Sequence, residues 1–76
     1  MGDRVRVIDA RGVIAPLPLL DLRRSLDQAE SGQSVELLSD DPNIVGDVEM
    51  FIKASSHEVE ASHEEDAYVR FRIRKG

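Results

Sequence analysis

The chain has 76 residues, no cysteine and three aromatic side chains, Phe51, Tyr68 and Phe71, so one modest core of Leu, Ile and Val must hold it without disulfides or a thiolate metal site. Ten basic against fifteen acidic residues leave a net charge of −5, which opposes bulk binding to phosphate backbones, although a local basic patch could still act. No apolar run approaches the ~20 residues of a membrane span and Met1 to Arg6 lacks an apolar signal core, so the expectation is a cytoplasmic protein of one domain, residues 1–76, with no membrane insertion.

Arg4 to Asp9 alternates, which predicts a half-buried strand with Val5 and Val7 facing the core and Arg4 and Arg6 facing away. Asp9-Ala10-Arg11-Gly12 breaks the pattern, and Gly12 can take a backbone shape closed to other residues. Pro16 and Pro18 stand where a helix can begin, because the first turn needs no backbone donors there. Leu19, Leu22, Leu26 and Ala29 form its apolar stripe, widened by Leu20, and Gly32 is placed to end it. A second strand follows over Gln33 to Ser39, with Val35 and Leu37 inward. Asp41 is expected to cap the next helix and Pro42 to open it. Ile44, Val48, Phe51 and Ile52 line that helix's buried face, and Ser55-Ser56 ends it. A strand over Glu58 to Ser62, a turn at His63 to Asp66 and a strand over Tyr68 to Arg74 complete the chain. In the last, Val69, Phe71 and Ile73 alternate with Arg70, Arg72 and Arg74.

Each strand has one apolar and one polar face, so both helices must cover the same side of the sheet. The last two strands form an antiparallel hairpin, and each helical crossover returns its strand roughly parallel and right-handed. The fold class is α/β (α+β): a two-layer βαβαββ sandwich with a mixed four-stranded sheet and two helices on one face.

The segment Asp9-Ala10-Arg11-Gly12-Val13-Ile14-Ala15-Pro16-Leu17-Pro18 resembles the signature of the TusA/SirA-like sulfur carriers, an Asp-x-x-Gly turn followed by Cys-Pro-x-Pro at the start of the first helix. The resemblance continues through Leu38-Ser39-Asp40-Asp41-Pro42, Gly46-Asp47-Val48, His57-Glu58-Val59 and Ile73-Arg74-Lys75. It implies the same βαβαββ fold, and a cysteine that receives sulfur as a persulfide and passes it on. A thiol there would face the positive end of a helix dipole and unpaired backbone N–H groups, both of which favour the thiolate. In this chain the position is Ala15, whose methyl group cannot hold sulfur. Asp9, Gly12, Pro16 and Pro18 would shape and present the corner. By resemblance the partners are a cysteine desulfurase, rhodanese-like or DsrE-like proteins, or a membrane transporter system.

Two origins fit an alanine at this position. It is either a replacement in a carrier serving tRNA thiolation or sulfur metabolism, or the natural residue of a paralogue that kept the fold. Arg23-Arg24 where the family commonly has a lysine pair, Phe51 where Trp is usual, and Ser56-His57 in place of Gly-His favour the paralogue. The resulting expectation is a non-enzymatic binding protein with no cofactor.

Asp9, Asp40 and Asp41 fall where strands meet helices, and turn formation and helix capping account for them more simply than an acidic site does. His57 and His63, six residues apart along a strand, stand roughly 20 Å apart, too far to share a metal. Arg4, Arg6, Arg70, Arg72 and Arg74 are expected on the polar sheet face beside Glu36, Glu58 and Glu60. Cross-strand ion pairs explain such a face. The alternative is a regulatory or RNA-contacting module in which Arg70, Arg72 and Arg74, with Arg11 near the corner, contact a partner.

Overall fold

The computed structural model describes residues 5–76; Arg4 lies outside them. Six elements follow in order: β1 (Arg6–Asp9), α1 (Leu17–Gln28), β2 (Ser34–Ser39), α2 (Ile44–Lys53), β3 (Glu58–Glu64) and β4 (Val69–Arg74). In α1, Pro18 occupies one of the first two helical positions, where its missing N–H costs nothing. Leu22, Ser25 and Leu26 then recur on the buried side. Past the helix, Gly32 turns the chain at φ +89° and donates its N–H to the Lys75 carbonyl at 2.9 Å.

The strand order is β1-β2-β4-β3. β1 pairs parallel with β2, while β4 is antiparallel to both β2 and β3. β3 therefore runs in the same direction as β2 without touching it, and the last strand lies between them. The α1 helix packs on β1 and β2 and against α2. Between helices and sheet lie Ala10, Leu22, Leu26, Val35, Leu37, Ile44, Val48, Phe71 and Ile73, with Ile8, Val13, Leu19, Phe51, Ile52 and Val69 packed against them.

The structure corrects several expectations. The phase of β1 is reversed: Ile8 pairs with Leu37 on the helix side, whereas Val7 pairs with Glu36 and is 57% exposed. Arg6 consequently points toward the helices, where its guanidinium donates to Gln28 Oε1 at 2.9 Å. It is not part of the polar face. Val5 is only half-buried. Val59 lies opposite Ile73 on the core side, but β3 is an edge strand beyond the helices and leaves it exposed. Leu20 is also exposed and does not widen the core stripe of α1. β3 extends through His63 and Glu64, so the hairpin turn falls after them, closed by Glu65 N–H to Tyr68 O at 2.8 Å. Finally, α2 begins at Ile44, and the Asp41 carboxylate caps the turn before it by accepting the Asn43 N–H at 3.0 Å.

The polar face is a ladder of ion pairs. Arg70 meets Glu65 at 3.4 Å, and Arg72 lies between Glu60 at 3.3 Å and Glu36 at 3.8 Å. Arg74 pairs with Glu58. A bulge between Val59 and Ala61 sets the extra residue, Glu60, over the face, where it also accepts the Ser34 hydroxyl. The Ser34 hydrogen bond, and after it Arg72, hold Glu60 below the usual carboxylate range. Every arginine of β4 is thus neutralised by a glutamate, which removes the free cations an RNA-contacting surface requires.

Candidate functional site

The ends of β1, β2 and β3 and the start of β4 meet at one end of the sheet. Three connections gather there: residues 10–16, 40–43 and 65–68. The first begins with Ala10, which is buried and donates its N–H to Leu38 O at 2.8 Å. Val13 N–H returns to Ala10 O at 3.1 Å. At Gly12 the chain turns at φ +81°, a conformation glycine takes without a Cβ penalty. Its N–H points at both oxygens of Asp40, 3.0 and 3.1 Å away. Asp40 therefore fastens the first connection to the second.

Asp9 and Arg11 make a clamp across the same turn. Arg11 Nε and Nη2 donate to the two Asp9 oxygens at 2.8 and 2.7 Å, and the Arg11 N–H adds a third bond at 3.2 Å. The guanidinium lies 5.0 Å from the centre of the Tyr68 ring, a cation–π distance that ties the third connection to the first. The side-chain hydrogen bond to Arg11 is the largest cause that lowers the Asp9 carboxyl to about 2, and the Arg11 backbone bond is the next. A depressed carboxylate pKa favours the fold above its unfolded value, and that contribution is lost as pH falls through the folded value. Asp9 is expected to titrate near 2 when followed by carboxyl NMR, and Arg11→Ala to return it toward the ordinary ~3.9. An unchanged titration in the variant would show that the clamp does not form in solution.

Ala15 stands half-buried at the corner, immediately before Pro16, the N-cap of α1, and is joined to it by a cis peptide bond. The first helical turn carries no acidic residue, and no side chain caps it. Leu17 N–H is committed to Ile14 O at 3.2 Å, and Pro18 has no N–H. The corner thus keeps the helix dipole but offers fewer open donors than the sequence suggests. Ile14, 75% exposed, and the exposed Leu17 and Leu20 surround it.

The predicted presentation residues Asp9, Gly12, Pro16 and Pro18 come together here, and Arg11 joins them at the rim. Arg70, Arg72 and Arg74 do not; they lie on the ion-pair ladder. His57 and His63 are separate as well: His57 Nδ1 accepts the Gly76 N–H at 3.1 Å with its ring 5.8 Å from Phe51, and His63 faces Arg70. Among the described residues no group of three His, Asp or Glu side chains could hold a metal, and no helix is long and apolar enough to cross a membrane. Sequence reasoning missed two ties, Asp40 to Gly12 and Arg11 to Tyr68. Their residues were visible, but their pairing depends on which strands become neighbours.

The family model described as sulfurtransferase TusA matches residues 6–75. The chain belongs to the TusA family. It is 35% identical over 75 residues to the sulfur carrier protein TusA of Allochromatium vinosum, covering 99% of each chain. It is 36% identical over 69 residues to a candidate sulfur carrier of Archaeoglobus fulgidus, covering 91% of this chain and 94% of that one. A crystal structure of a SirA-like protein from Desulfitobacterium hafniense superposes with a TM-score of 0.73 at 20% identity, covering 96% of this chain and 99% of the other. That likeness establishes the shared fold. TusA carriers work in relays with other proteins, yet this member has no cysteine anywhere in its sequence.

Proposed function

We propose that this TusA-family chain is a non-enzymatic binding protein of a sulfur relay, contributing protein contacts at the Ala15 corner while carrying no sulfur. The observation behind this reading is an intact corner around a missing thiol. Asp9, Arg11, Gly12, Asp40, Pro16 and Pro18 keep their turns, bonds and helix start about Ala15. Ile14, Leu17 and Leu20 leave an apolar rim open to a partner. The partners implied are those of the family: a cysteine desulfurase, or rhodanese-like or DsrE-like proteins. Arg11 is the contact residue best placed among the four singled out, because it lies at the corner while Arg70, Arg72 and Arg74 lie on the ion-pair ladder of the sheet face.

A competition assay tests the reading. A cysteine-bearing TusA is loaded by a desulfurase with cysteine as sulfur donor, in the presence of increasing amounts of this chain. The chain is expected to slow loading saturably while its own intact mass stays unchanged. Loading unaffected by a large excess, with each desulfurase, rhodanese-like and DsrE-like partner tried in turn, would overturn the proposal.

A further inference from the structure

We infer that the outer edge of β1 is a self-association surface, on which a second copy of this chain lays its own β1 antiparallel about Val7. The inference goes beyond the relay reading: it concerns assembly of this chain with itself, and its test involves no other protein.

Among the described residues the sheet ends in two edges, β1 and β3, and the sequence treats them differently. An unpaired edge presents N–H and C=O groups to any passing strand, and proteins blunt it with bulges and charges. β3 has both. It carries the bulge between Val59 and Ala61 and the glutamates Glu58, Glu60 and Glu64, which would meet like charges in a second copy. β1 has neither. Its register with β2 runs unbroken from Arg6 to Asp9, and Val7, inside the strand, is 57% exposed.

The backbone of β1 is aimed for such pairing. Ala10 donates its N–H to Leu38 O, and residues two apart in a strand turn their main-chain groups to the same edge. Arg6 and Ile8 therefore face β2, while Val7 and Asp9 turn outward. A two-fold axis at Val7 lets its N–H and C=O exchange bonds with the partner's Val7, and brings Asp9 to the residue before the partner's β1, Val5.

The side chains agree with that register. Val7 meets the partner's Val7 on the open face of the sheet, so each covers exposed apolar surface of the other. Arg6 falls opposite the partner's Ile8 and Asp9 opposite the partner's Val5, so no like charges oppose one another. The chain as a whole carries −5, yet Val5 to Asp9 holds one arginine and one aspartate and is neutral. Two acidic copies therefore meet little repulsion along this edge. Complementarity of a surface to itself is what a two-fold dimer requires, and it favours a second copy over an unrelated strand.

Sedimentation of the whole chain between about 10 µM and about 1 mM tests the proposal, a range suited to a small interface. The mass should rise with concentration from 8.5 kDa toward twice that value. Val7→Pro removes an N–H that β2 does not use, at an edge position where proline is tolerated. This variant should keep its circular dichroism and remain a monomer. Val7→Lys and Val7→Glu should each weaken association about tenfold, and their equimolar mixture should associate at least about threefold more tightly than either alone, because opposite charges then face across the axis. These two replace an exposed side chain, so they keep the test decisive where proline disturbs the strand. Glu64→Gln, on the β3 edge, should change association less than about twofold. A monomer at every concentration, a dimer more sensitive to Glu64→Gln than to Val7→Lys, or a mixture no tighter than its components would each overturn the proposal.

Discussion

Leu26→Ala is expected to lower unfolding stability by about 2–5 kcal/mol. Leu26 is fully buried on the inner side of α1 and belongs to the cluster with Leu22, Leu37 and Ile73. Truncation removes its transfer free energy and leaves a cavity that the rigid sheet beneath cannot fill. A chain of this length commands roughly 4–11 kcal/mol in total, so the variant should sit near the edge of folding. Phe51→Ala should cost less, about 1–2 kcal/mol. Its ring is only half-buried, and its outer side lies 5.8 Å from the Arg23 guanidinium. Urea unfolding of both variants gives the order directly. A larger loss at Phe51 than at Leu26 would mean that the core is centred between the helices rather than between helix and sheet.

Ala15→Cys is expected to change the chain from one that accepts no sulfur to one that accepts a single atom. The new thiolate attacks the terminal sulfur of a desulfurase persulfide. The S–S bond of that persulfide breaks, the desulfurase cysteine leaves as thiolate, and the chain retains the sulfur as its own persulfide. Intact-mass measurement after incubation with desulfurase and cysteine reads the gain. The thiol should titrate below the ~8.5 of free cysteine, because the dipole of α1 favours the anion and no acid of the first turn opposes it. The depression should fall short of the extremes found at helix N-termini, since Leu17 N–H is already bound and Pro18 has none to give. A thiol that titrates like free cysteine and never loads would show that the corner has lost carrier geometry along with its sulfur.

The element order and the corner were legible because they are written locally. Pro16 and Pro18 mark a helix start, Gly12 and Gly32 mark turns, and Val35 and Leu37 alternate cleanly. The phase of β1 was not, because Val5, Val7 and Ile8 offer apolar residues in both phases. Ala10 decides between them: it is buried two residues after Ile8, and a small side chain carries little weight in a hydrophobic pattern. The bulge at Glu60 and the order of strands follow from pairing across the sheet, which no single stretch of sequence encodes. The same limit hid the bond from Asp40 to Gly12, 28 residues apart, and the approach of Arg11 to Tyr68. Asp9 sits in a turn as the sequence suggested, Asp41 caps the turn before α2 rather than the helix itself, and Asp40 bonds across two connections.

The place of β4 between β2 and β3 has a consequence for how the molecule comes into being. A nascent chain emerges N-terminus first, so β1, α1, β2, α2 and β3 are all exposed before the strand that joins their two halves exists. Until Val69–Arg74 arrive, β2 has one free edge and β3 has no partner at all, and the helices have only part of a floor to rest on. Pairing late-made with early-made segments raises contact order and slows closure. Closure of the sheet therefore waits for residues 69–74. In the interval the open edges are the stretch most exposed to wrong partners, and a ribosome stalled before residue 69 would present a chain unable to fold.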